Sequence, residues 1–190
     1  MYARSNHVIG ADGLVFVLQD ISNSLVGGGG MGYTGITPSF GIEFDTYHNT
    51  LDDPTYDDHI SFFKNGIIAN GLCNLHASLP NIEDGNDHSV KIFWDPSSEH
   101  MAVFFDNEGS MPTLQMGVGL GNIFESGEAF WGFTAVTGGD SNEQSVCITE
   151  LKTGSPDVTI LKPNHGKDCE VAPSPAPYQA PAPAPAPYPA

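Results

Sequence analysis

The stretch IEFDTYHNTLDDPTYDDHISF, residues 42–62, alternates apolar and acidic residues and then runs into an acidic loop. Glu43, Asp45, Tyr47 and Asn49 stand two residues apart, so a strand points all four at one face. Carboxylates placed this way repel each other. A fold that accepts them either leaves them in water or supplies a cation. The rest of the chain offers no basic cluster to do so. It has 6 Lys plus Arg against 23 Asp plus Glu over 190 residues, a formal charge of −17, and Arg4, Lys64, Lys91, Lys152, Lys162 and Lys167 are scattered. The same surplus of acid argues against nucleic acid or an anionic membrane as partner, because both are recognised by basic patches. Calcium or a transition ion is the simplest remaining source of positive charge.

Residues 1–152 read as strands. GLVFVLQ (13–19), FGIEFDTY (40–47), HISFF (59–63), SVKIFW (89–94), MAVFFD (101–106), AFWGFTAVT (129–137) and SVCITEL (145–151) are rich in β-branched and aromatic residues. Turn chemistry separates them, and Asp95-Pro96 opens a hairpin between SVKIFW and MAVFFD. One helical turn is expected within 114–128. Short strands with Gly-rich connections imply an all-β antiparallel sandwich. Residues 153–171 read as an extension. Residues 172–190 alternate Ala and Pro, which bars them from a sheet and favours an extended polyproline II tail, in a plant or algal source a platform for hydroxylated, O-glycosylated proline. No apolar run reaches the roughly 18 residues of a membrane span, and no signal peptide is visible at the start. Cys147 and Cys169 are placed to pin the extension to the last strand, leaving Cys73 buried or paired elsewhere.

Within the acidic stretch, Glu43, Asp45 and Asp53 offer carboxylates, Asn49 and the Tyr47 carbonyl neutral oxygens, and His59 an imidazole. Such a set divides into an oxygen-rich calcium site and an adjoining site with nitrogen, suited to manganese or a similar ion. A solvated acidic loop is the alternative.

The segments ADGLVFVLQ, LVGGGGMGYTG, E-x-D-x-Y-x-N with a following D-P and H-I, VKIFWDPSSEHMAVFFD and FWGFTAVTGG occur in that order. Together, over roughly residues 8–150, they resemble an L-type (legume-lectin-like) lectin domain. The resemblance implies a concanavalin-like jelly-roll sandwich. It implies that Glu43, Asp45 and His59 hold a transition ion such as Mn2+, and that Asp45, the Tyr47 carbonyl, Asn49 and Asp53 hold Ca2+, with Asp52 as a substitute for Asp53. It also implies a site for hexose-containing glycans. There Asp12 resembles the sugar-binding Asp that follows a cis peptide bond, Asn49 donates an amide, and a backbone N–H comes from Gly28, Gly29 or Gly30. Gly139 and Asp140, in the 138–142 loop, shape the rim, and Tyr47 presents an aromatic face. An extracellular or cell-surface setting follows from the same resemblance.

Two departures from such domains stand out. The chain starts only eleven residues before ADG, so the usual N-terminal strands are expected to be lacking, and SVCITEL has no closing Trp. Another protein chain, or a missing segment, is therefore expected to complete the sandwich. A structural module of a surface assembly is one competing function. A glycoside hydrolase on the same jelly roll is the other, but His48 stands where E-x-D-x-x-E requires its second carboxylate, which a retaining mechanism needs about 5 Å from the first.

Overall fold

The computed structural model describes residues 2–4, 10–20, 28–50, 53–68, 75–107 and 111–152. Its centre is a five-stranded antiparallel sheet in the order β10-β2-β3-β4-β5, formed by Phe130–Val136, Gly13–Gln19, Ser39–Asp45, His59–Lys64 and His76–Ser78. A second sheet, β7-β8-β9, is built from Val90–Asp95, His100–Phe105 and Leu114–Gly117. A third joins β11 (Glu143–Ser145), β1 (Tyr2–Arg4) and β6 (Asp84–Asp87). Every pairing is antiparallel.

Alternation decides which face each side chain meets. Even-numbered positions of the central strands (Leu14, Phe40, Ile42, Phe44, Ile60 and Phe62) pack with Met101, Val103 and Phe105 of β8 and with Leu114 and Met116 of β9. That is the sandwich core. Odd-numbered positions turn to the other face, where Val15, Val17 and Phe63 meet Met31, Tyr33 and Ile36 of the loop that crosses the sheet. The loop fits closely because Gly41 has no side chain: a Cβ there would stand 2.9 Å from the Tyr33 ring. Thr134 of β10 donates to the Met31 carbonyl at 2.7 Å and fastens the loop. Both faces of β3 are therefore covered, and all seven of its residues are buried.

The hairpin at Asp95-Pro96 forms with Asp95 opposite His100, and Asp95 caps its turn by accepting from Ser97 and Ser98 hydroxyls at 2.7 and 2.6 Å. The helical turn expected in 114–128 is a 3-10 turn at Leu120–Asn122, preceded by β9. Two expectations need correction. β3 ends at Asp45, so Tyr47 and Asn49 lie in the following loop and do not continue the strand face. Among the described residues the last strand is Glu143–Ser145, and 146–151 has no strand pairing. The short strands β1, β5, β6 and β9, three or four residues each, carry too few residues for alternation to show. Cys147 is an exposed free thiol; its expected partner Cys169, with Cys73, Asp52 and the whole of 153–190, lies outside the described residues. Among the described residues no helix is long and apolar enough to cross a membrane.

Candidate metal and sugar site

The odd face of the central sheet turns from apolar to charged within one strand. Along β3, Gly41 is followed by Glu43 and Asp45, whose cross-strand partners on β4 are Ser61 and His59. Glu43, Asp45 and His59 are all buried and offer ligand atoms that lie within 4.8 Å of one another. His59 Nδ1 lies 3.2 Å from the Asp57 carbonyl. A carbonyl can only accept, so Nδ1 carries the proton and the Nε2 lone pair faces Glu43 Oε2, 3.7 Å away. Neither Nε2 nor Oε2 has a hydrogen-bond partner, and the Ser61 hydroxyl on the next strand lacks one too.

Two carboxylates and a lone pair converging in a dry interior repel. Burial, with Asp45 and Asp53 nearby, holds the Glu43 carboxyl well above its ordinary range. Asp45 is pushed up to about 8 by burial and then by Asp53, against the stabilising Tyr47 N–H. His59 is held down to about 4, chiefly by burial. The contact with Glu43 is thus not an ion pair, since without a cation burial favours the uncharged form of both groups. Leaving a charge buried and unpaired costs several kcal/mol. A divalent cation removes that cost at all three groups at once, and the donor set of two carboxylates and one imidazole suits a transition ion.

The adjoining loop gathers oxygens. Tyr47 N–H donates to Asp45 Oδ1 at 2.6 Å, and Asn49 N–H donates to the Asp53 carboxylate. Asp53 N–H returns a bond to the Asn49 carbonyl at 3.1 Å. This reciprocal pair closes the 49–53 turn and brings Asp53 close enough to Asp45 and Glu43 to raise both. Tyr47 and Asn49 are half-buried.

Asp12 sits at the head of β2, after a cis Ala11–Asp12 peptide bond. Its backbone is held on both sides: Asp12 N–H donates to the Val136 carbonyl at 3.0 Å, and its carbonyl accepts from Thr46 N–H at 3.1 Å. Its carboxylate is buried, Oδ2 has no hydrogen-bond partner, and burial together with Asp140 raises its pKa. A Cβ on Gly138 would stand 3.0 Å from Asp12 Oδ2, so the 138–140 loop lies directly against it. Gly28–Gly30 forms a 3-10 turn, and a Cβ on Gly29 would stand 3.2 Å from Asn49 Oδ1. Gly139 is exposed with nothing near it. The residues named from the sequence thus form two joined groups, Asp12 with 138–140 and Asn49 with Gly28–Gly30, and both border the Glu43–Asp45–His59 cluster.

Sequence reasoning missed the supports. Asn142 Nδ2 donates to Thr46 Oγ1 at 2.9 Å, and Gln144 Nε2 lies 3.4 Å from both the Ala11 and Val136 carbonyls. Asp58 accepts from Ile82 N–H at 2.7 Å, and the Glu83 carboxylate lies against Gly10 and Asn142. No local signal identifies them, since the partners of Asn142 and Gln144 at Thr46 and Ala11 are 96 and 133 residues away. His48 is half-buried, with Nδ1 2.8 Å from the Thr55 carbonyl and its ring against Tyr56.

Comparison with known proteins identifies the family and the fold. A family model described as a legume lectin β-barrel domain matches residues 3–150. The basic agglutinin of Psophocarpus tetragonolobus is 32% identical over 142 residues, 70% of this chain and 54% of that protein. The anti-H(O) lectin of Lotus tetragonolobus is 26% identical over 142 residues, 70% of this chain and 57% of that protein. The structure of winged bean acidic lectin complexed with methyl-α-D-galactose superposes with a TM-score of 0.59 at 26% identity, covering 74% of this chain and 60% of that one. A lectin from Bauhinia forficata in complex with GalNAc gives 0.62 at 21% identity, covering 74% and 64%. The chain spans about half the length of the curated relatives it matches.

Proposed function

The chain belongs to the legume lectin β-barrel family, and from that premise we propose that it is a metal-supported binder of hexose-containing glycans and not an enzyme. The observation that carries this reading is the convergence of buried, unpartnered Glu43 Oε2 and His59 Nε2 around Asp45, with Asp12, whose Oδ2 is also unpartnered, near enough to Asp45 to raise its pKa. Glu43, Asp45 and His59 would hold a transition ion such as Mn2+. Asp45, the Tyr47 carbonyl, Asn49 and Asp53 would hold Ca2+. Bound there, the ions supply positive charge that neutralises the carboxylates and fixes the 45–53 loop.

The chain's own groups then recognise the sugar. Asp12 accepts from a hydroxyl, Asn49 donates its amide, and Gly29 or a neighbour in Gly28–Gly30 offers a backbone N–H. Tyr47 supplies an apolar surface for sugar C–H groups, and Gly139 and Asp140 bound the rim. Galactose and N-acetylgalactosamine are the first sugars to test, since relatives are seen with methyl-α-D-galactose and GalNAc. An extracellular setting accompanies this function. Glycan-array binding with and without EDTA tests it: binding to hexose that chelator abolishes is expected, and unchanged binding in chelator removes the metal from the function.

A second reading, a module of a surface assembly, is favoured by one observation. Phe130, Trp131 and Phe133 of the end strand β10 are exposed. Competition by free hexose separates the two, because contacts between protein surfaces are indifferent to it.

A further inference from the structure

Asp12 is braced from behind by a polar chain that begins on another sheet. Glu83 stands immediately before β6, which belongs to the sheet β11-β1-β6. Its half-buried carboxylate fills the space that a Cβ on Gly10 would occupy, and that Cβ would also stand 2.9 Å from Asn142 Cβ. Gly10 is buried and lies two residues before Asp12. The backbone around Glu83 is itself anchored: Ile82 N–H donates to Asp58 Oδ2 at 2.7 Å, and Glu83 N–H to Asn81 Oδ1 at 2.8 Å. From Asn142 the chain continues along two arms. Asn142 Nδ2 donates to Thr46 Oγ1 at 2.9 Å, and Thr46 N–H holds the Asp12 carbonyl. Asn142 Oδ1 accepts from Gln144 Nε2, which also lies 3.4 Å from the Ala11 carbonyl. A side-chain amide has two hydrogens and one oxygen. Thr46 takes one hydrogen and Gln144 the oxygen, which leaves the second hydrogen for the Glu83 carboxyl, to which Asn142 is a donor.

We propose that Glu83 is a positioning residue for sugar binding, a wedge between Gly10 and Asn142 that holds the Asp12 segment in place while its carboxyl is neutral and slackens when it ionises. This rests on the sugar-binding reading of Asp12 given above. Burial, with Asp58 beside it, raises the Glu83 carboxyl to about 7, against the pull of Asn142 and Gly10. Of the groups packed on it, Asp58 carries charge, while Gly10 and Asn142 do not. Glu83 Oε2 is buried without a hydrogen-bond partner, so the ionised form holds charge that nothing on that oxygen compensates. Being half-buried, the carboxylate has a path to water, away from Asp58, and following it withdraws the wedge.

The test is calorimetric titration with the methyl glycosides of galactose, N-acetylgalactosamine, glucose and mannose, on chain saturated with Ca2+ and Mn2+, at about pH 6 and about pH 8, on either side of the Glu83 transition. Wild-type affinity for the sugar it prefers is expected to fall roughly 2- to 10-fold from the lower pH to the higher. Glu83→Gln, which keeps the neutral shape, is expected to match the wild type at the lower pH and to hold that affinity at the higher. Glu83→Ala is expected to bind sugar roughly 2- to 10-fold more weakly at the lower pH, with calcium affinity within about twofold of wild type. If Glu83→Ala fails to fold, the Glu83→Gln profile decides alone. A pH profile that Glu83→Gln leaves intact, or calcium affinity lost in parallel with sugar affinity in Glu83→Ala, overturns the wedge and leaves the lectin reading standing. A wild-type chain that binds none of the four sugars overturns both.

Discussion

Asn142 Nδ2 donates to Thr46 Oγ1 at 2.9 Å and ties the loop after β10 to the residue that follows β3. Thr46 N–H in turn holds the Asp12 carbonyl. The amide of Asn142 thus reaches the proposed sugar acceptor through one residue, without touching a metal ligand. Asn142→Ala removes a part-buried hydrogen bond worth about 0.5–1.5 kcal/mol. The expected outcome is hexose affinity weakened by roughly 2- to 10-fold with calcium affinity nearly unchanged. Calorimetric titration of each ligand checks it, and equal losses for both would place Asn142 in the metal site instead.

Metal removal acts on the buried carboxylates directly. An ion that binds only the folded chain stabilises it by mass action, about 2.7 kcal/mol at a hundredfold excess over Kd. Calcium with Mn2+ is expected to raise the melting temperature of the wild type, and EDTA to reverse the rise. Asp45→Ala is expected to lose both the rise and hexose binding, because Asp45 stands between the two proposed ion positions. A variant that still gains stability from calcium and still binds sugar sinks that placement.

Glu83 gives the molecule a pH dependence separate from the metal ligands. Burial, assisted by Asp58, raises it to about 7 in the fold, against 4.5 when exposed. Between those values the folded chain holds a proton that the unfolded chain has released. Stability therefore falls as pH rises through that window, and the loss is complete above it. Glu83→Gln keeps the shape and drops the titration. The variant is expected to match the wild type below pH 4.5 and to be the more stable above pH 7. Urea denaturation at both ends measures the difference, and a variant less stable than wild type above pH 7 reverses the assignment.

The strands that position the site were legible because their alternation is long. β2, β3, β4, β8 and β10 run six or seven residues, so their periods show in the sequence. Glu43, Asp45 and His59 were legible for the same reason: acids on a buried strand contradict their setting unless something charged joins them. Tyr47 and Asn49 kept the two-residue spacing past the end of β3, so periodicity alone could not reveal that the chain turns there and that Asn49 and Asp53 close a loop. The clamp made by Asn142 and Gln144 left no trace, since each bond joins segments distant in the chain. Nothing in HAS marks β5 as a strand, and only the register places His76 beside His59.

Phe130, Trp131 and Phe133 leave an exposed aromatic surface on the end strand β10. β10 ends the five-stranded sheet, and among the described residues no strand pairs with its outer edge. Phe133 packs edge-on against Phe16 with ring centroids 5.5 Å apart, yet stays 39% exposed, while Phe130 and Trp131 are exposed at 63% and 47%. An unpaired edge beside exposed aromatic rings is a surface on which another chain can add. The 190-residue chain is accordingly expected to self-associate with rising concentration in sedimentation velocity. Trp131→Ser is expected to reduce that association at a modest cost in stability, because the residue is already about half exposed. Phe133→Ser is expected to reduce it as well, and to cost about 0.5–1.5 kcal/mol through the lost ring pair with Phe16. A wild-type chain that sediments as a monomer at every concentration would show that this edge draws no second copy.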